Sequence, residues 1–75
     1  MLDGHKAHYK ELGLNIAYYR KLRGFSQEKL AEKVDISRTH MSRIETADCA
    51  VSLDVLFSIA DALSIEPYKL LLSRD

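Results

Sequence analysis

The stretch from Ser26 to Glu45, SQEKLAEKVDISRTHMSRIE, holds two short helical patterns separated by only four residues, Val34-Asp35-Ile36-Ser37. In the first pattern Leu30, Ala31 and Val34 fall on one side; in the second Met41 and Ile44 do, with Ile36 just ahead of them. Apolar residues recurring three and four apart mark one face of an α-helix. Both patterns therefore turn an apolar face to a shared core, while the second leaves Arg38, Thr39 and Arg43 pointing outward. Any fold open to this chain has to pack the two helices together and keep that polar row outside.

The boundaries carry their own signals. Ser26 and Ser37 stand where helix N-caps are needed, a side-chain oxygen accepting from a free backbone N–H, and Glu28 suits the positive first turn. Ala31 is small where two helices would cross closely. At Asp35 the chain must turn sharply and a left-handed conformation is expected; Gly is favoured there, and Asp tolerates it better than most residues. The second helix is thus predicted over about residues 26–34 and the third over about 37–45.

Upstream, Leu12, Ile16 and Tyr19 predict a first helix from about Tyr9 to Arg23, ended by Gly24. Downstream, TADCAV reads as a connector, and Ser52 caps a fourth helix in which Leu53, Leu56, Ile59, Ala60 and Leu63 keep helical spacing beside Phe57. Glu66-Pro67 opens a short fifth helix, since Pro suits a first helical position, with Leu70 and Leu71 packing back. Residues 1–8 have weak periodicity and are expected to form a flexible tail, leaving 9–75 as one domain.

A chain of 75 residues is a single domain that buries roughly 60% of its unfolded surface, so its stability must come from one regular core. Its 47% hydrophobic and 29% charged residues suit a soluble globular protein, and one Pro with three Gly leaves long stretches free to be helical. The expected class is all-α. No apolar run approaches the roughly 18 residues that span a bilayer, and MLDGHKAH lacks the apolar core of a secretory signal, so a cytoplasmic protein with no membrane partner is expected. Cys49 alone forms no internal disulfide and has no Cys or His at zinc-site spacing. His5 and His8 stand three apart in the tail, and two ligands there do not make a metal site. No metal and no cofactor are expected. Nor does any Ser/His/Asp set or carboxylate pair converge, so an enzyme is not expected.

The formal net charge is zero, but it is unevenly spread. Residues 1–43 hold nine Lys and Arg against five acids, a net +4, and residues 44–75 hold two against six, a net −4. Because salt screens charge over about 8–10 Å, the local sign matters more than the total. Such a chain can turn one face to a polyanion.

Two helices joined by a tight turn, the second with outward polar groups near its start, have the geometry by which helix-turn-helix proteins enter the DNA major groove. The run RKLRGFSQEKLAEKVDISRTHMSRIE, followed by SLDVLFSIADAL and EPYKLLL, resembles the phage repressor and Cro type (XRE family) of helix-turn-helix transcriptional regulator. The resemblance covers about Leu12 to Leu72 and holds without gaps through Arg20, Arg23-Gly24, Ser26-Gln27, Leu30-Ala31, Ile36-Ser37, Ile44-Glu45 and Ile59-Ala60. It implies a five-helix bundle of the lambda-repressor-like DNA-binding type. It also implies a largely internal salt bridge between Arg20 and Glu45, and phosphate contacts from Gln27 and Thr46. Two departures stand out: Asp35 replaces the usual Gly, and TADCAV replaces a connector that commonly contains Asn-Gly and then Pro.

The residues themselves support the same reading. A third helix of about nine residues is about 13 Å long, comparable to a major groove about 12 Å wide. Arg38, Thr39 and Arg43 are the expected base contacts, Arg matching the paired acceptors of guanine and the Thr methyl a thymine methyl. Ser37 and His40 join Gln27 and Thr46 as expected backbone contacts. One helix supplies few contacts, so a homodimer on a two-fold operator with half-sites about 34 Å apart is expected. Phe57, Tyr68, Leu71 and Leu72 are its candidate interface. Regulation is expected to run through concentration or a regulatory partner protein. A rival reading is an antitoxin-like or antagonist-like module that docks protein on the same scaffold; steep salt dependence separates the two.

Overall fold

The computed structural model describes residues 3–73, and the side-chain surroundings of residues 4–73. A single 3-10 turn, Asp3–His5, leads into α1 (Lys6–Leu22). Then follow α2 (Gln27–Lys33), α3 (Arg38–Glu45) and α4 (Leu53–Leu63), and a second 3-10 turn, Pro67–Leu70. Among the described residues there is no strand. The architecture is all-helical, with four α-helices.

The starts and stops of these helices are local chemistry. Ser26, Ser37 and Ser52 are extended N-caps whose hydroxyl oxygens accept from Lys29, His40 and Val55 N–H groups at 3.0–3.1 Å. All four helices end the same way, in a left-handed residue with a crossed pair of backbone bonds. At the first end Gly24 has φ 79°, its N–H donating to Lys21 O and that of Phe25 to Arg20 O. At the next, Asp35 has φ 61°, with Ile36 N–H donating to Ala31 O at 3.0 Å, as its position after α2 predicts. Ala47 (φ 63°) and Ser64 (φ 59°) do the same after α3 and α4. Each of these three non-glycine residues accepts a conformation that its Cβ disfavours by roughly 1–2 kcal/mol, so the turns are held by the packing around them.

The core joins Leu12 and Ile16 of α1, Leu30 and Ala31 of α2, Met41 and Ile44 of α3, Leu56, Ile59, Ala60 and Leu63 of α4, and Leu70. Val34, Ile36, Cys49 and Tyr19 pack on its margin. Two residues set how the layers meet. A Cβ at Gly13 would lie 2.8 Å from Ile44 O, so α1 and α3 approach backbone to backbone, and only glycine fits. Asn15 is buried, and its amide donates to Leu70 O at 2.9 Å and Leu72 O at 2.7 Å, tying the chain's last turn to α1.

Three expectations are corrected. The fifth helix is a 3-10 turn of four residues: Pro67 opens it as expected, but the chain ends its helical path at Leu70. On so tight a turn neighbouring residues face different ways, so Leu70 is fully buried while Leu71 is 58% exposed and does not pack back. Leu53 lies on the apolar stripe of α4 but in its first turn, and is 65% exposed. Finally, α1 begins at Lys6, so residues 6–8 of the expected tail are helical. Lys6, Ala7 and His8 are all exposed, which is why no apolar period marks them. The tail's first two residues lie outside the described residues.

Candidate nucleic-acid interface

The frame of the interface is an ion pair. Arg20 of α1 grips Glu45 at the end of α3 side-on, Nε donating to Oε2 at 2.7 Å and Nη2 to Oε1 at 3.2 Å. Its third arm, Nη1, donates to Phe25 O at 2.8 Å in the turn before α2. The two side chains are 10% and 5% exposed, so the pair is internal, as the resemblance implied. A forked arginine–carboxylate contact fixes direction as well as distance. Glu45 also accepts from Gln27 Nε2 at 2.9 Å, so one carboxylate binds α1, α2 and α3 together. The bond from Gln27 carries no sequence signal, because its partner lies 18 residues away on another helix.

On this frame α3 turns Met41 and Ile44 fully into the core and leaves Arg38, Thr39 and Arg43 exposed. Among the described residues none of these three side chains is bonded to the protein. Thr39, Arg43 and Thr46, four and three apart, form one stripe along the helix. Ser42 falls on the same side, three after Thr39 and four after Arg38, half-buried and with an unengaged hydroxyl. The same spacing in the sequence points to it, although a small Ser gives no signal of its own.

The expected backbone contacts are placed unequally. Gln27 and Ser37 flank the start of α2 and α3; Gln27 retains a second amide N–H beyond the one given to Glu45. Ser37 accepts from the backbone N–H of His40, leaving its own proton free, and the His40 side chain is half-buried. Thr46 differs. Its hydroxyl lies 3.0 Å from Ser42 O and 2.9 Å from Asp48 Oδ2, so its one proton is engaged within the protein and an anion sits beside it.

On α4 and the turn after it, Phe57 is 46% exposed and Tyr68 57%, with Leu71 at 58% and Leu72 at 50%. Leu53 and Leu71 both border an apolar depression of about 260 Å³. Leu53 therefore belongs with this surface. Among the described residues there is no cluster of three or more His, Cys, Asp or Glu able to hold a metal ion, and no helix is long and apolar enough to cross a membrane.

A capped helix pair joined by a left-handed turn, with the second helix braced from behind and bare in front, is a helix-turn-helix. Residues 16–70 match the sequence profile of the family described as Helix-turn-helix, and the chain belongs to that family, in the phage repressor and Cro type. Within it the chain is similar to the control protein C.BamHI of Bacillus amyloliquefaciens, 48% identical over 46 residues that cover 61% of this chain and 57% of that protein. It spans just under three fifths of its curated relatives from Bacillus amyloliquefaciens and Neisseria meningitidis, 57% and 58% of their lengths. Its fold is similar to the restriction-modification controller protein C.AhdI of Aeromonas hydrophila, with a TM-score of 0.83 and 33% identity over 85% of this chain and 97% of that one. It is also similar to SinR of Bacillus subtilis, a master regulator for biofilm formation whose structure is solved in complex with DNA. That match has a TM-score of 0.76 and 31% identity over 81% of this chain and 98% of SinR's.

Proposed function

We propose that the protein is a sequence-specific DNA-binding transcriptional regulator that acts by occupying a two-fold symmetric operator as a homodimer. The observation that carries this reading is the contrast along α3: Met41 and Ile44 fully buried, Arg38, Thr39 and Arg43 exposed and unbonded, on a helix fixed from behind by Arg20 and Glu45. Eight residues make α3 about 12 Å long, the width of the groove it would enter. Arg38 and Arg43 reach guanine edges and Thr39 a thymine methyl, each bidentate arginine contributing about 1–3 kcal/mol of discrimination. Ser42, on the same side, joins them.

Gln27, Ser37 and His40 donate to phosphates beside the helix starts, where free N–H groups add to the contact. Thr46, with Asp48 at 2.9 Å from its hydroxyl, is the weakest member of that set. Phe57, Tyr68, Leu71 and Leu72, with Leu53 added, form the dimer surface, and cytoplasmic placement follows from the role. A regulatory partner protein remains part of the proposal. The control and regulator roles of C.BamHI, C.AhdI and SinR support this reading over a docking module built on the same scaffold.

Selection of bound duplexes from a random pool tests it. The expected result is a motif with two-fold symmetry, guanine in each half, and half-site centres about 34 Å apart. Recovery of no motif, with binding that is insensitive to salt, would refute the DNA reading and leave the docking module.

A further inference from the structure

Lys6 stands 41 residues from Ala47 in sequence, yet its Nζ donates to Ala47 O at 3.1 Å. Ala47 is the left-handed residue that turns the chain at the end of α3, and it is completely buried. The first turn of α1 is thereby laid against the last turn of the reading helix. Carbonyls at a helix C-terminus carry partial negative charge, which holds an ammonium there. An ammonium has three donors, and this one spends a single donor on the carbonyl while the side chain stays exposed.

A helix about as long as the major groove is wide has a sugar-phosphate ridge near each of its ends. At the start of α3 the donors Ser37 and His40 face one ridge, while Gln27, its amide bonded to Glu45, lies toward the finish. At its finish the stripe of Thr39 and Arg43 runs out into Thr46, whose hydroxyl is turned to the Asp48 carboxylate. That end offers a phosphate an anion where a donor is needed, and the free protons of Lys6 lie one residue further on.

We propose that Lys6 is a DNA-backbone contact, a phosphate clamp delivered by α1 to the far end of the reading helix. It offsets Asp48 and adds a cation beyond Arg43, past the last turn of α3. The inference rests on the DNA-binding reading above.

Salt dependence tests it on the 75-residue chain. Each phosphate neutralised adds about 0.9 to the slope of log affinity against log salt on duplex DNA. Fluorescence anisotropy on a fixed 30-bp duplex is measured in 50–200 mM KCl for the wild type, Lys6→Gln and Lys69→Gln, the last on the Pro67–Leu70 turn away from α3. The expected result is a slope about 0.9 shallower for Lys6→Gln alone, so that wild-type affinity falls about 3.5-fold more than the variant's across that range. Lys6→Arg should restore the slope. A Lys6→Gln slope equal to the wild type's, with or without a lower melting temperature, makes Lys6 a structural cap only and overturns the inference while leaving the DNA reading intact. A wild type that binds no duplex at any salt removes both.

Discussion

The outer face of α3 and the end formed by α4 and the Pro67–Leu70 turn are both exposed, but they are held in opposite ways. Behind α3 stand a forked ion pair, the amide of Gln27, and a backbone contact at Gly13 that admits no side chain. These constraints come from two helices, α1 and α2, and converge on one end of α3. The other surface gathers Leu53, Phe57, Tyr68, Leu71 and Leu72, and its last residues are tethered by two bonds from Asn15. Large apolar side chains exposed singly are ordinary, but here Leu53 and Leu71 border one apolar depression. The polar face is braced before any ligand arrives, so little ordering is left for binding to offset.

If that contrast is right, damage on each side should appear in a different measurement. The largest effect is expected behind α3. Arg20→Ala leaves Glu45 buried without its partner and should lower stability by about 3–5 kcal/mol in urea unfolding. A variant as stable as the wild type would show that the fork does not brace the helix. Next comes the apolar end: Leu71→Glu should weaken self-association at least tenfold in sedimentation velocity while the helical content holds. An unchanged dimer would move the interface elsewhere. The smallest effect is expected at the turn between α2 and α3. Asp35→Gly relieves a left-handed Cβ and should add about 1 kcal/mol of stability with operator affinity unchanged. A loss of stability there would mean that the Asp35 side chain supports the turn in its own right.

The sequence announced those features that are local or that repeat. Three serine caps, Gly24 and Asp35 at helix ends, and the buried faces of α2 and α3 all follow from residues within one or two turns of each other. Arg20 and Glu45 were legible only through resemblance, since 25 residues separate them. What stayed hidden was set by tertiary neighbours. Leu53 and Leu71 look like core residues until the missing wall beside them is seen, and Lys6, Ala7 and His8 form a helical turn with nothing apolar to show it. Gly13 looks replaceable along its own helix, because the atoms that forbid a side chain belong to α3. Ala47 and Ser64 adopt a backbone that neither residue favours, so no propensity would have located those turns.

The account depends most on what the tip of Arg43 meets. Once an operator has been selected, binding of the wild type and of Arg43→Ala should be measured against duplexes substituted at every base pair in turn. The expected outcome is a loss of about 1–3 kcal/mol in affinity, with sequence preference erased at one base pair per half-site, retained at the others, and no change in melting temperature. A variant that binds every duplex uniformly more weakly, keeping the wild-type preference at each position, would contradict base reading by α3.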